Sequence, residues 1–193
     1  MMRVITGKAR GVRLETLAGD ATRPTSERAK EALFSSISNL IPGADVLDLF
    51  AGSGQLAIEA LSRGASHAVL CDSSPDACRV ISNNLGKTRL SSDAEVICRD
   101  YARALKELAG RKFDMVFLDP PYKLRLIDGV LARLIQSDAV RGGGIIVCED
   151  ERPEPYRADG YTVIKHGHYG RIYITVMKKE KKGDGTCDGN GEL

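Results

Sequence analysis

The sequence predicts a single α/β domain in which helices cover both faces of a mostly parallel, seven-stranded sheet. Its 193 residues, of which 42% are hydrophobic, suit one domain with one sizeable core. From residue 44 onwards, short apolar runs alternate with stretches of helical periodicity, which is the pattern of βαβ units. The runs are continuously apolar, as expected for parallel strands that are buried on both faces. Five such runs occupy residues 46–50, 68–71, 96–98, 115–118 and 145–148.

The front of the chain is basic. Residues 1–40 carry seven basic and four acidic residues, whereas residues 41–177 carry 17 basic and 18 acidic residues. The positive charge is therefore concentrated at the start of the chain, although the formal net charge of the whole chain is only +2. Two short strands, 3–6 and 12–17, are predicted around a glycine-containing turn, with a helix after them. We therefore expect a basic extension over residues 1–40 that precedes a domain over residues 41–177.

The last part of the chain predicts a hairpin and a tail. Strands are expected at 161–165 and 171–177, with residues 166–170 forming the connection between them. Residues 178–193 contain lysine and glycine without apolar periodicity, so a disordered tail is expected there.

Composition excludes several classes of protein. The near-neutral charge argues against a polycationic nucleic-acid-binding tail and against an acidic disordered protein. No apolar run approaches the ~18 residues that span a bilayer, and the first residues lack the apolar stretch of a signal peptide. We therefore expect a soluble cytoplasmic protein without a membrane partner. The five cysteines are odd in number and include no C-x-x-C pair, which favours reduced thiols.

Acidic residues lie at or near the carboxyl ends of the predicted strands. Ligands of open α/β sheets bind at that edge. Each acid could instead cap the helix that follows it, but five together favour a binding site. These acids are Asp48, Asp72, Asp100, Asp119 and Glu149.

The turn after the first strand predicts a nucleotide-like ligand. Gly52 and Gly54 allow a tight turn and a close approach of the backbone to a ligand. Asp72 follows Gly52 by 20 residues, at the position where a carboxylate can bind both hydroxyls of a ribose. This arrangement suits either a dinucleotide or S-adenosylmethionine. Ala57 stands where the dinucleotide fingerprint has its third glycine, which counts only mildly against NAD.

The segment Asp119-Pro120-Pro121-Tyr122 follows the fourth apolar run directly. Two successive prolines make this strand end rigid and leave carbonyls free to accept hydrogen bonds. A carboxylate beside such a carbonyl can accept both N–H bonds of an exocyclic amine, and Tyr122 can stack on the ring of the base. The segment therefore predicts a clamp for an aminopurine or aminopyrimidine.

With these motifs the chain resembles the class I S-adenosylmethionine-dependent methyltransferases that modify exocyclic amines, whose motif stands here at 119–122. Within that class it is similar to the RsmD family of bacterial 16S rRNA guanine-N2 methyltransferases. The similar segments are 3–11, 23–28, 31–34, 59–65, 143–149 and 169–171, and the resemblance covers residues 2–177. Ala57 and Asp72 depart from the glycine and the glutamate that are usual in the family.

The resemblance implies a Rossmann-like fold and methyl transfer from S-adenosylmethionine, leaving S-adenosylhomocysteine, to the N2 amine of a guanine. The substrate would be 16S rRNA within a small ribosomal subunit or its precursor, and the enzyme would act as a monomer without a metal. The base would be flipped out of its stack, since its amine is otherwise inaccessible.

The resemblance also implies roles for individual residues. The cofactor would contact Asp48, Phe50, Ala51, Gly52, Ser53, Gly54, Asp72, Ser73, Asp100 and Tyr101, with Asp72 on the ribose and Asp100 on the adenine amine. Asp119, Pro120, Pro121 and Tyr122 would form the catalytic clamp. The RNA phosphates would be bound in the basic extension by Lys8, Arg10, Arg13, Arg23 and Arg28.

Three alternatives stay open at this point. A DNA adenine-N6 or cytosine-N4 methyltransferase would use the same clamp, although such enzymes commonly carry a separate target-recognition domain. An NAD-dependent oxidoreductase would use the two glycines and Asp72, but it leaves the clamp and the basic extension unexplained. A non-catalytic RNA-binding scaffold would retain a vestigial cofactor pocket.

Overall fold

A seven-stranded sheet organises the molecule. The computed structural model describes residues 2–17 and 24–181, and its strands lie in the order β3-β2-β1-β4-β5-β7-β6. Strands β1 to β5 run parallel, and β7 is antiparallel to both β5 and β6. The strands are β1 (Asp45–Asp48), β2 (His67–Asp72), β3 (Ala94–Cys98), β4 (Phe113–Leu118), β5 (Val140–Asp150), β6 (Tyr161–Tyr169) and β7 (Ile172–Lys179).

In the described part of the chain, five α-helices cover the sheet on both faces, as predicted. They are α1 (Pro24–Ser36), α2 (Gln55–Ser62), α3 (Pro75–Thr88), α4 (Tyr101–Glu107) and α5 (Ile127–Gln136). Residues of α1, α2 and α3 form one hydrophobic layer with the sheet, and residues of α4 and α5 form the other. The central strand β1 contributes to both layers, since Val46 packs in the first and Leu47 in the second, each with no exposed surface.

The predicted bounds of the last three strands are wrong. Strand β7, expected at 171–177, runs from Ile172 to Lys179 and so includes the first two residues of the predicted tail. Strand β6 continues through the residues predicted as a connection and reaches Tyr169, so the chain reverses at Gly170, whose φ is +71°. The pairing continues because His168 lies opposite Tyr173 and their rings stack with centroids 4.4 Å apart. Strand β5 is likewise longer than its apolar run and includes Glu149.

The two strands predicted at the front are also wrong. Residues 2–17, which we call the N-terminal arm, contain a single isolated bridge between Arg3 and Arg13 instead of a ladder. Three backbone hydrogen bonds of 2.9–3.0 Å join the two segments, from the N–H groups of Val4, Gly11 and Leu14 to the carbonyls of Val12, Val4 and Met2. Other backbone groups of the arm bind side chains of α2. The buried carboxylate of Glu59 accepts the Ile5 N–H at 2.8 Å and the Thr6 N–H at 3.1 Å. A buried carboxylate of the domain therefore holds the arm in place.

Gly7 allows this close docking. Its φ is +90°, and a Cβ placed on it would lie 1.8 Å from the carbonyl oxygen of Ser62. The same Ser62 accepts the Lys8 N–H at its carbonyl, at 2.8 Å, and the Ala9 N–H at its hydroxyl, at 2.9 Å. Backbone contacts this tight are possible only where the arm has no side chain.

Within the described ranges, no helix is both long enough and apolar enough to cross a lipid bilayer.

Candidate active site

The carboxyl edge of the sheet gathers the predicted residues. Strand β1 ends at Asp48 and pairs with β4, with Asp48 opposite Phe117. Alternate residues of a strand point to the same face, so Asp48 lies on the face of Val46, which α1, α2 and α3 cover, and Asp119 follows directly after the end of β4. The turn after β1 and the segment after β4 thus begin side by side.

The turn after β1, residues 49–54, is called the cofactor loop below. Gly52 and Gly54 have φ values of +54° and +79°, which L-residues with a side chain rarely adopt. A Cβ on Gly54 would lie 3.1 Å from Leu70 and 3.2 Å from Ile58, so this glycine packs closely against β2 and α2. A Cβ on Gly52 would meet nothing within 4 Å, so open space lies in front of that residue. A ligand can therefore approach the backbone at Gly52.

Asp72 holds two turns at the end of β2. One carboxylate oxygen accepts the Gly52 N–H and the other accepts the Ser74 N–H, both at 2.9 Å. Each oxygen retains a second lone pair for a ligand hydroxyl. Ser73, between them, is exposed.

Asp48 is the most deeply buried of the acidic residues at this edge. The side chain is 1% exposed, and both carboxylate oxygens lack a hydrogen-bond partner of standard geometry among the described residues. Burial raises its pKa to about 7, although the nearby backbone N–H groups of Phe50 and Ala57 oppose the shift. An unpaired buried carboxylate is costly, so the site is suited to a cationic partner.

Tyr101 and Asp100, which were predicted to contact the adenosine, both have partners within the chain. The rings of Phe50 and Tyr101 pack together with centroids 5.6 Å apart, which joins the cofactor loop to α4. Asp100 caps α4, since one of its oxygens accepts the Ala102 and Arg103 N–H groups, each at 3.1 Å. The capping role considered from the sequence is therefore present at Asp100, and its other oxygen lies 3.5 Å from the Arg103 guanidinium.

The segment after β4 is held by β5. The Tyr122 hydroxyl donates to Glu149 Oε1 at 2.8 Å, across the ends of two paired strands. Burial raises the pKa of Tyr122 well above its usual value, and the carboxylates of Asp119 and Glu149 raise it further. Burial also raises the pKa of Glu149, against the effect of the Tyr122 hydrogen bond. Three acidic or phenolic groups thus lie close together here; Pro120 is buried and Pro121 is exposed.

The predicted phosphate contacts differ in their surroundings. Lys8 forms an ion pair with Asp93 at 2.8 Å, with about half of the Lys8 side chain exposed. The other described side chains of this set are exposed, namely Arg10, Arg13 and Arg28. Arg23 lies outside the described residues.

Two residues of the site were not assigned a role from the sequence. Glu149 belongs to the strand-end acids, but its bond to Tyr122 depends on the pairing of β4 with β5. Asn84 binds the cofactor loop from the interior of α3. A single asparagine in a helix carries no signal in the sequence, since most such residues face solvent.

A match to a family model shows which protein family this chain belongs to. A family model described as Conserved hypothetical protein 95 matches residues 2–178. The chain belongs to this family, the RsmD family.

Relatives of the family resemble the chain over nearly its whole length. It is 34% identical to Ribosomal RNA small subunit methyltransferase D of Haemophilus influenzae, over 89% of this chain and 90% of the relative. The protein of the same name from Escherichia coli K12 is 28% identical, over 97% and 94%. A solved structure of a hypothetical protein from Thermus thermophilus is 31% identical with a TM-score of 0.77, over 91% and 98%. The predicted Rossmann-like fold of the class I methyltransferases is confirmed for this RsmD-family chain.

Proposed function

We propose that the protein transfers a methyl group from S-adenosylmethionine to the exocyclic N2 amine of a guanine in 16S rRNA. One observation supports the proposal: the cofactor loop begins beside the end of β4, since the Leu49 N–H donates to the Phe117 carbonyl at 3.3 Å, two residues before Asp119. The proposed acceptors for the exocyclic amine would then lie beside the proposed binding site of the nucleoside cofactor. The names of the relatives, which are rRNA small-subunit methyltransferases, support the same substrate.

The residues at the ends of β1 and β2 fit S-adenosylmethionine. Asp72 would bind the ribose hydroxyls, the open backbone at Gly52 would face the methionine part, and the Phe50 and Tyr101 rings would border the adenine. Asp48 would balance the positive charge of the cofactor from its buried position. When bound, S-adenosylmethionine supplies an electrophilic methyl group on a sulfonium ion.

The clamp would act on the amine by position and electrostatics. The Asp119 carboxylate and the Pro120 carbonyl would accept the two amine hydrogens and direct the nitrogen lone pair towards the methyl group. Tyr122 would stack on the flipped base, with its ring orientation set by the bond to Glu149. As the N–CH3 bond forms, the S–CH3 bond breaks and leaves the neutral thioether, and the nitrogen becomes positively charged until one amine proton passes to the Asp119 carboxylate. Since the attacking amine is neutral, the chain needs mainly to orient the base and stabilise this developing charge.

The N-terminal arm and α1 would bind phosphates of the RNA. Arg10, Arg13 and Arg28 are exposed, and Lys8 would exchange its partner Asp93 for a phosphate. Docking of the arm on α2 would keep these charges in a constant position relative to the clamp.

The decisive experiment uses labelled S-adenosylmethionine and small-subunit particles from a strain that lacks the enzyme. We expect label in N2-methylguanine of 16S rRNA after nuclease digestion. Label in N6-methyladenine would overturn the guanine assignment. Calorimetry with S-adenosylmethionine and with NAD completes the test. Binding of NAD alone would refute methyl transfer, and binding of neither would favour a non-catalytic RNA-binding scaffold.

Asp72→Ala is expected to weaken S-adenosylmethionine binding by about 1.5–3 kcal/mol, the usual value of hydrogen bonds to a charged group. The loss has two sources, the ribose contact and the anchoring of Gly52. Isothermal titration calorimetry measures it. Asp76→Ala, an exposed acid in the first turn of α3, is the control and should bind like the parent. Equal affinity in both variants would remove Asp72 from the site.

The buried carboxyl of Asp48 predicts opposite effects of pH on stability and on cofactor binding. Its pKa is about 7 in the folded protein and about 4 when unfolded. A raised folded pKa contributes stability that is complete below pH 4 and lost as the pH rises through 7. The free energy of unfolding without cofactor should therefore fall between pH 5 and 8, while cofactor affinity should rise as Asp48 ionises.

Asp48→Asn tests this assignment, because an amide of similar shape does not titrate. The variant should be more stable than the parent at pH 8 without cofactor and should lose the rise in affinity between pH 5.5 and 7.5. Urea unfolding and calorimetry over that range measure both effects. Titration of the cofactor's own amine, whose pKa is about 8, affects the parent and the variant alike and so cancels in the comparison. A parent whose stability is constant from pH 5 to 8 contradicts the prediction.

A further inference from the structure

Asn84 makes three hydrogen bonds from the interior of α3. Its side chain has no exposed surface. The side-chain oxygen accepts the Glu15 N–H at 2.8 Å, and the side-chain nitrogen donates to the Glu15 carbonyl at 3.1 Å and to the Ser53 carbonyl at 2.8 Å. Both amide hydrogens of Asn84 are thus used. The amide cannot be reversed without placing two donors against each other.

The three bonds join two elements that are distant in sequence. Glu15 belongs to the N-terminal arm, and Ser53 lies in the cofactor loop between the two glycines of positive φ. A peptide flanked by glycines rotates easily, so the bond from Asn84 restricts the loop where the backbone must face the cofactor. A second contact joins the same elements, since the Ser53 hydroxyl lies 3.2 Å from the Met2 sulfur in a buried position.

The arm is held in place along its length. Glu59 binds Ile5 and Thr6, and the carboxylate of Glu15 accepts from Lys87 at 2.6 Å and from Asn83 at 3.0 Å. Asn84 differs from the other residues that hold the arm. Among the described side chains of α3, it is the one that forms hydrogen bonds with both the arm and the cofactor loop. Removing it leaves the Ser53 carbonyl without its partner in a buried place and the Glu15 backbone without its partners in a half-buried one.

We propose that Asn84 is a positioning residue that fixes the cofactor loop to the N-terminal arm, so that cofactor binding and arm docking stabilise each other. The inference rests on the proposed function, because it takes the loop to bind S-adenosylmethionine and the arm to bind RNA. By thermodynamic linkage, the free energy by which the docked arm strengthens cofactor binding equals the free energy by which bound cofactor stabilises the docked arm. The arm thus serves the cofactor site as well as the RNA.

Asn84→Ala tests the proposal, with Asn83→Ala as a matched control. Asn83 precedes it in α3 and, among the described residues, its side chain donates to the carboxylate of Glu15 at the surface and not to the cofactor loop. We expect Asn84→Ala to weaken S-adenosylmethionine binding about ten-fold or more, by calorimetry, and Asn83→Ala to change it less than two-fold. In methyl-transfer assays, Asn84→Ala should raise KM for the cofactor while kcat at saturating cofactor stays within a few-fold. Equal affinities of Asn84→Ala and the parent would overturn the proposal.

Hydrogen exchange of the unmodified protein provides a test that does not depend on whether a variant folds. S-adenosylmethionine should slow exchange at the Leu14 and Glu15 amides, which lie outside the predicted cofactor contacts. Bound cofactor with unchanged exchange in residues 2–15 refutes the coupling but leaves the proposed function intact. No cofactor binding by the parent protein refutes the proposed function itself, which separates the two failures.

Discussion

Asp119→Ala is expected to reduce methyl transfer by at least about 10²–10³-fold, comparable to the loss of one preorganised electrostatic contact in other enzymes. The carboxylate lies at the end of β4, close enough to Tyr122 to raise the pKa of its hydroxyl. Without it, one amine hydrogen loses its acceptor, and the nitrogen lone pair is no longer directed towards the methyl group. Cofactor affinity should stay within a few-fold of the parent, because this carboxylate is assigned to the base.

The measurement is single-turnover methyl transfer to small-subunit particles, together with calorimetry of cofactor binding. Asp128→Ala is the control, since Asp128 is an exposed acid of α5 that pairs with Arg152 at 3.5 Å. Asp119→Asn retains one carbonyl acceptor and should keep more activity than Asp119→Ala. If Asp119→Ala transfers methyl groups as fast as the parent, the clamp has been assigned to the wrong residues.

Gly7→Ala is expected to destabilise the protein by about 2–4 kcal/mol, which is large for one added methyl group. Two costs combine. The added Cβ would lie 1.8 Å from the Ser62 carbonyl oxygen, and alanine would have to adopt a φ of +90°. The arm must move away from α2, which breaks its hydrogen bonds to Glu59 and Ser62. Urea unfolding of the whole chain measures the loss.

Gly11→Ala separates the two costs. Gly11 also has a positive φ, +83°, but a Cβ on it would meet nothing within 4 Å. This variant should lose only the conformational cost, about 1 kcal/mol. If the two variants are equally stable, the contact of Gly7 with Ser62 is not closely packed, and the docking of the arm is weaker than its geometry indicates.

The strands of the parallel sheet were predictable because burial on both faces makes them continuously apolar. Residues 68–71 and 115–118 lie within β2 and β4, and only the ends of these strands differ. The edge strand β6 has no such signal, since its residues alternate between half-buried and exposed. Its length depends on pairing with β7, including the stacking of His168 on Tyr173.

The sequence by itself determined the parallel strands of the sheet, the glycine turn after β1 and the group of acids at the strand ends. Each of these depends on local spacing, because a strand, a glycine turn and the acid after a strand are neighbours along the chain. Tertiary structure alone decided that Glu149 binds Tyr122, that Glu59 binds the arm, and that Asn84 joins the arm to the cofactor loop. These bonds connect residues 27, 54 and 31 positions apart, and the partners meet only once β4 has paired with β5 and α2 and α3 have packed on the sheet. A buried polar group takes whichever partner packing brings to it, and no local pattern in the sequence indicates that partner.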